Sequence, residues 1–332
     1  MTKSSNNFAK LLESFFVQRL MNQRQASPHT ISSYRDTFRL LLQYSQKRLL
    51  KSPSQFELSD IDASLIGSFL EHLEKERNIS VSSRNARLAA IRSFFRYAAL
   101  ESPAQSAQIQ QVLAIPSKRQ DRPIIAFLTR DEIKAILAAP DQSTWSGRRD
   151  HVFLLVAFQT GMRLSELISL EHKDVVLGAS NYIRVTGKGR KQRATPLTKE
   201  TTKILKKWME EARAENVILF PSMRGNKLSP DAVQKLLGKH VLTASRACPS
   251  LIEKRVTPHV MRHSCAMELL QSGIDLSMIA LWLGHESVET TQIYLHANLT
   301  LKEEILAKTQ MVKGKHGRFK PDDQLLAFLN SL

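Results

Sequence analysis

Cysteine is nearly absent from this chain of 332 residues: Cys248 and Cys265 are the two it has. Two thiols make neither a disulfide framework nor a four-ligand zinc site, and they suit a reducing cytoplasm. Long apolar runs are missing as well. The longest, Val152 to Phe158, has seven residues, against the roughly 20 that a membrane-spanning helix needs, so no membrane partner is expected. The opening residues Met1 to Asn7 carry no apolar stretch of the signal-peptide kind. There is no Walker-type phosphate loop, metal-ligand cluster, internal repeat or low-complexity tract, so no ATP, metal or other cofactor is expected. The last shortage is acid: 31 Asp and Glu stand against 48 Lys and Arg, giving a net charge of +17. Such an excess repels itself in a compact chain and is relieved by a polyanion, with nucleic acid the first candidate.

What is present is mostly helical. Apolar residues recur at helical spacing over residues 7–24 (Phe8, Leu11, Leu12, Phe15, Phe16, Leu20) and again after Ser27-Pro28, which reads as an N-cap followed by proline in the first turn. A third helix follows Asp62, and a fourth starts near Ser82 or Ser83, with Leu88, Ile91, Phe94 and Phe95 on one side. Together they predict a small bundle over 1–103. The other side of the fourth helix carries Arg84, Arg87, Arg92 and Arg96. In a chain this basic, that stripe reads as a phosphate-contacting face rather than a merely solvated one.

Periodicity lapses over 104–128, where Ser-Pro, Gln-rich and Pro-flanked basic stretches suggest an extended linker. A second domain over 129–312 opens on a capping-box pattern, Thr129 with Glu132. Helices are predicted at about 130–139, 147–160 and 163–171, then a β-hairpin over 181–196, then helices at about 198–215, 229–246, 258–272, 275–283 and 287–297. The fold class is therefore mainly α with a small β-sheet: a helical bundle, then an α+β domain. Residues 313–320 form a basic linker, and 322–332 a short amphipathic tail with Leu325, Leu326, Phe328 and Leu329 as its apolar face.

Within the second domain, His259 and Arg262 are three apart at a helix start, which puts them on one face. Gly284 suits a left-handed cap after Leu283, fixing His285 at a corner, and a short helix beyond Ser287 carries Thr290, Thr291 and Tyr294. With Gly161-Met162-Arg163-Leu164-Ser165-Glu166 and Thr186-Gly187-Lys188-Gly189-Arg190 upstream, the chain resembles the tyrosine recombinase (phage integrase) family, and within it the Xer-like bacterial members. That family's ordered signature of Arg, Lys, His-x-x-Arg, His or Trp, and Tyr is filled here by Arg163, Lys188, His259, Arg262, His285 and Tyr294. The resemblance spans residues from about 7 to 300 and makes the bundle a core-binding, SAM-like domain.

The resemblance implies cleavage of one DNA strand by Tyr294, leaving a 3′-phosphotyrosyl bond that a partner strand's 5′ hydroxyl reverses. The chemistry suits the residue types. Planar, permanently charged Arg163 and Arg262 neutralise phosphate oxygens in the transition state. A phenol with a reference pKa of about 10 needs a base, for which His259 is the candidate. Lys188 is the candidate acid for the departing 5′ oxygen, with Lys191 close enough in sequence to be mistaken for it. His285 would bond the phosphate, and Glu166 would hold Arg163. His263 reads as a local structural residue, and Tyr182 as a strand residue.

Expected DNA contacts are Arg35, Arg84, Arg87 and Arg92 in the bundle and Arg190, Lys191 and Arg193 in the hairpin, where nine basic residues and one acid lie between Arg184 and Lys207. The implied partners are double-stranded DNA and four protomers acting together, alike or paired with a second recombinase, with the tail docking on a neighbour. A bacterial, nucleoid-associated protein is expected, without an extra N-terminal domain for distant arm-type sites. A type IB topoisomerase, which shares the phosphotyrosyl bond, and a non-catalytic DNA-binding protein are the competing readings. Dimer resolution, integration and transposition all remain open, with the long tail favouring a mobile element.

Overall fold

A computed structural model describes residues 7–119, 125–187, 192–211, 217–285 and 287–297, the side chains of 296 and 297 excepted. The chain divides into two compact units, Met1–Arg122 and Pro123–Leu332.

The first unit is built from α1 (Phe8–Ser14), continued by a π-helical stretch Phe15–Gln23, then α2 (Pro28–Leu49), α3 (Ala63–Lys75), α4 (Val81–Glu101) and α5 (Ser106–Ala114). Short polar side chains start the helices: Ser27 Oγ accepts from Thr30 N at 3.2 Å and Asp62 Oδ1 from Leu65 N at 2.7 Å. Helix α4 begins a little earlier than its pattern suggested, because Ser80 rather than Ser82 or Ser83 is the cap, accepting from Ser83 N at 3.2 Å. The core is aromatic, with Phe8, Phe15, Phe38, Phe94 and Phe95 all buried and Phe8 and Phe15 edge-on to Phe94 at 5.1 and 5.6 Å.

Helix α5 falls where an extended linker was expected. Its Gln-rich composition hid two apolar residues one turn apart, Ile109 and Val112, both fully buried against the bundle. Gln108 fastens it by donating to the carbonyls of Leu58 and Ile61 at 2.8 and 3.3 Å.

The second unit contains α6 (Arg130–Ala138), α7 (Trp145–Thr160), α8 (Leu164–Ile168), β1 (Val175–Val176), β2 (Tyr182–Thr186), β3 (Gln192–Pro196), α9 (Lys199–Glu211), α10 (Pro230–Ala244), α11 (Pro258–Gln271), α12 (Leu276–Leu283) and α13 (Glu289–Ala297). The Thr129–Glu132 capping box is formed in both directions, at 3.3 and 2.8 Å. The three strands form one antiparallel sheet in the order β1-β2-β3, with Tyr182 opposite Pro196 and Thr186 opposite Gln192. Trp208, Phe153 and Phe220 fill the main core, and a smaller cluster gathers Cys265, Met267, Ile279, Leu283 and Tyr294. Among the described residues no helix is long and apolar enough to cross a membrane. The expected sites Lys188, Arg190 and Lys191 and the tail 313–332 lie outside the described residues.

Candidate active site

Two helix ends and one helix start meet at the candidate site. Helix α7 stops at Gly161, whose φ of +59° is the left-handed conformation glycine adopts at no steric cost. Helix α12 stops at Gly284, φ +66°, in a Schellman arrangement: Gly284 N donates to Leu281 O at 3.1 Å and His285 N to Ala280 O at 2.9 Å. From α11, Arg262 reaches both ends. Its Nη1 donates to Gly161 O at 2.7 Å and its Nη2 to Leu283 O at 2.9 Å. Helix C-termini offer unpaired carbonyls and partial negative charge, which is what a cation buried to 5% exposure needs. Burial, reinforced by the charge of Arg163, pulls its pKa down to about 10, so it still carries its proton at neutral pH.

Arg163 caps α8 and lies beside Arg262, because its Nη2 donates at 3.0 Å to Gly284 O, the next carbonyl along from the one Arg262 holds. Glu166 fixes it from below, accepting from Arg163 N at 2.9 Å and Nη1 at 3.1 Å. The same carboxylate takes both prongs of Arg193, at 3.2 and 2.7 Å. Burial pushes the Glu166 pKa up, but the bonds from Arg193 and Arg163 outweigh it and hold the carboxyl below its usual range.

His285 follows the Gly284 corner, with Nδ1 2.8 Å from Thr291 Oγ1 on α13. Tyr294, three residues further along that helix, is 1% exposed, and its Oη lies 3.0 Å from His263 Nδ1. Burial raises the phenol to about 12 and lowers His263 and His285 each to about 4, the imidazoles being further disfavoured as cations by neighbouring positive groups. His259 is exposed at the start of α11, with its ring centre 6.5 Å from that of His263.

The structure thus brings Arg163, Glu166, Arg262, His285 and Tyr294 into one cluster within the second unit. The residue on Tyr294 Oη is His263, which the sequence reading set aside; the signal available was its spacing of one turn from His259. Arg193 is turned inward onto Glu166, its side chain 12% exposed, rather than presented outward as a DNA contact. The alternation of β3, with Arg193 and Thr195 on its less exposed side, was the sign of this. In the bundle, Arg84 is 7% exposed and donates to Pro116 O and Asn85 Oδ1, both at 3.1 Å. Arg92 donates to the Ile115 carbonyl. Both hold the chain that follows α5. Arg87 is half-buried, and Arg35 is exposed with its guanidinium on Asp36 and Ser32.

The second unit thus gathers two guanidiniums on adjacent carbonyls, two uncharged imidazoles and a buried phenol. The Phage integrase family pattern matches residues 126–300, and the Phage integrase, N-terminal SAM-like domain pattern matches residues 14–102. The chain is 62% identical over 333 residues to the integrase/recombinase y4rC of Sinorhizobium fredii, covering all of both. It is 33% identical to tyrosine recombinase XerC of Pelotomaculum thermopropionicum, covering 85% of this chain and 92% of that one. The crystal structure of XerH bound to difH substrate in a pre-cleavage complex is 25% identical, with a TM-score of 0.64 over 86% of this chain and 80% of that one. The chain belongs to the phage integrase family and is a Xer-like tyrosine site-specific recombinase.

Proposed function

We propose that the protein cuts and rejoins duplex DNA at a specific site, with Tyr294 as nucleophile and Arg163 and Arg262 as the clamp on the scissile phosphate. The observation that carries this reading is the placement of both guanidiniums on the adjacent carbonyls of Leu283 and Gly284, one helix away from Tyr294. In the reaction the phenolate attacks phosphorus and the bond to the 5′ oxygen breaks. His259 takes the phenol's proton and Lys188 supplies one to the leaving oxygen. Thr291 donating to His285 Nδ1 would leave the imidazole proton on Nε2, free to bond a phosphate oxygen. Because Oη is engaged by His263, Tyr294 must leave that contact before it reaches phosphorus.

Assembly follows the same reading. Four protomers act on two sites, and the tail 321–332 docks on a neighbour. Removing it should weaken assembly on DNA while leaving binding by one protomer intact. Strand exchange rather than relaxation is favoured over the topoisomerase alternative by the recombinase relatives. A role on a mobile element in the bacterial cytoplasm, at the nucleoid, completes the proposal.

The test is covalent trapping on a nicked duplex carrying the recombination site. An adduct that survives denaturant with the wild type and vanishes with Tyr294→Phe establishes the nucleophile. Tight binding without any adduct, alone and with a second recombinase added, refutes it.

A further inference from the structure

Arg193 has the composition of a DNA contact and the geometry of something else. It lies on β3, one residue into the strand, and the segment carrying Lys188 is what joins β2 to β3. Its two terminal nitrogens meet the two oxygens of Glu166 in a parallel fork, at 3.2 and 2.7 Å, with side-chain exposures of 12% and 6%. A fork of this kind fixes direction as well as distance. The flank of the same guanidinium lies against the Gly284 corner: a Cβ on Gly284 would come within 2.9 Å of Arg193 Nη1 and 3.1 Å of its Cδ. Arg193 is therefore packed between the carboxylate that holds Arg163 and the backbone that leads to His285.

The charges explain why a cation is wanted there. Glu166 is an anion directly behind a guanidinium that has to grip a phosphate. Unopposed, it would draw Arg163 to itself and cancel its charge. With Arg193 in place, the trio of Arg193, Glu166 and Arg163 carries one net positive charge, and Arg262 adds a second. Without it, the trio loses that charge and Glu166 remains in a site with little water to screen it.

We propose that Arg193 is a positioning residue for strand transfer: it neutralises Glu166 so that Arg163 keeps its charge and direction for the scissile phosphate, and it braces β3 against the Gly284–His285 corner. The inference rests on the assignment of Arg163 to the phosphate clamp given above. Arg193 does not touch the DNA, and this separates it from its basic neighbours in the hairpin.

The experiment compares wild type, Arg193→Ala, Arg193→Lys and the double variant Arg193→Ala with Glu166→Gln, on a nicked duplex carrying the recombination site. Affinity is measured across a salt series, and the single-turnover cleavage rate in the preformed complex. Arg193→Ala should keep the salt dependence of binding, since a lost phosphate contact would lower the slope by about 1. Its cleavage rate in the complex should fall about 100-fold, the cost of a misplaced catalytic group. Adding Glu166→Gln should restore at least about tenfold of that loss, because the uncompensated carboxylate is gone. A residue that merely supported the fold would give a worse double variant, not a better one. Arg193→Lys keeps the charge without the fork and should lie between wild type and Arg193→Ala, which also covers the case in which the alanine variant does not fold.

A reduced salt slope with normal cleavage in the complex would make Arg193 a phosphate contact and overturn the proposal, as would a lysine variant as slow as alanine or a double variant slower than Arg193→Ala. Arg163→Ala serves as the control. If it cleaves like wild type, the clamp assignment fails, whatever Arg193 does.

Discussion

Tyr294 Oη lies 3.0 Å from His263 Nδ1, and the phenol so held is 1% exposed. A phenol in that position is shielded twice, by packing and by a hydrogen bond to an uncharged imidazole. Replacing the imidazole with a ring that cannot accept should loosen the second protection and leave a buried hydroxyl unsatisfied. Without DNA, His263→Phe should raise the rate at which Tyr294 is acetylated or nitrated by about fivefold, equivalent to one ordinary hydrogen bond. Peptide mapping separates Tyr294 from the other four tyrosines. An unchanged rate would leave packing as the only guard.

The same burial makes the catalytic unit sensitive to acid. His263 and His285 are held near 4 when folded and return to about 6.5 when unfolded. Between those values the unfolded chain binds more protons, so this stability is present above about pH 6.5 and is lost as pH falls towards 4. Both rings are partly open to solvent, which reduces the effect. The melting temperature of the catalytic unit should drop by about 5 °C from pH 7.5 to 5.0, and by less in His285→Gln. Equal drops in the two proteins would place the acid sensitivity elsewhere.

Geometry that depends on spacing along one helix was legible from sequence. The Arg163–Glu166 spacing and the Gly284 cap before His285 are local, and the structure gives each the geometry that its spacing implied. His259 and Arg262 share the start of α11, but Arg262 is buried on the two helix ends while His259 is exposed. What stayed hidden depended on elements far apart in the chain. Nothing near Arg193 announces Glu166, 27 positions earlier, and a basic hairpin in a +17 protein invites the electrostatic reading instead. Helix α5 was missed because two buried residues among glutamines make a weak periodic signal, and its burial is decided by the bundle it packs on.

The two glycines that end helices at the site make a contrast in packing. Each has a positive φ, so alanine is strained at either by about 1 kcal/mol or more. At Gly161 the new Cβ would meet Leu283 Cδ2 at 2.6 Å and Cys265 Sγ at 3.1 Å, in the small core around Tyr294. At Gly284 it would meet Arg193. Gly161→Ala should therefore cost more stability, read by chemical denaturation. Gly284→Ala should lose more cleavage per folded molecule, read by trapping on the nicked duplex. The reverse order would mean that Arg193 has room to move aside without disturbing Arg163.

The arginines of α4 call for different tests although they share a helix. Arg84 is buried with partners at Pro116 and Asn85 and with Glu74 at 3.8 Å. Its charge is occupied in holding the segment after α5 to the bundle. Arg84→Ala should destabilise the first unit by about 2 kcal/mol, the usual loss when a charged donor is removed from buried acceptors. Arg87 and Arg96 are more open, and a DNA contact from this helix falls to them more readily than to Arg84. Arg87→Ala should leave the melting temperature nearly unchanged but weaken binding at every sequence alike, lowering the salt slope by about 1. Fluorescence anisotropy across a salt series, with melting curves on the same samples, separates the two residues. A reduced slope for Arg84→Ala at unchanged stability would show that Arg84 exchanges its internal partners for phosphate when DNA binds.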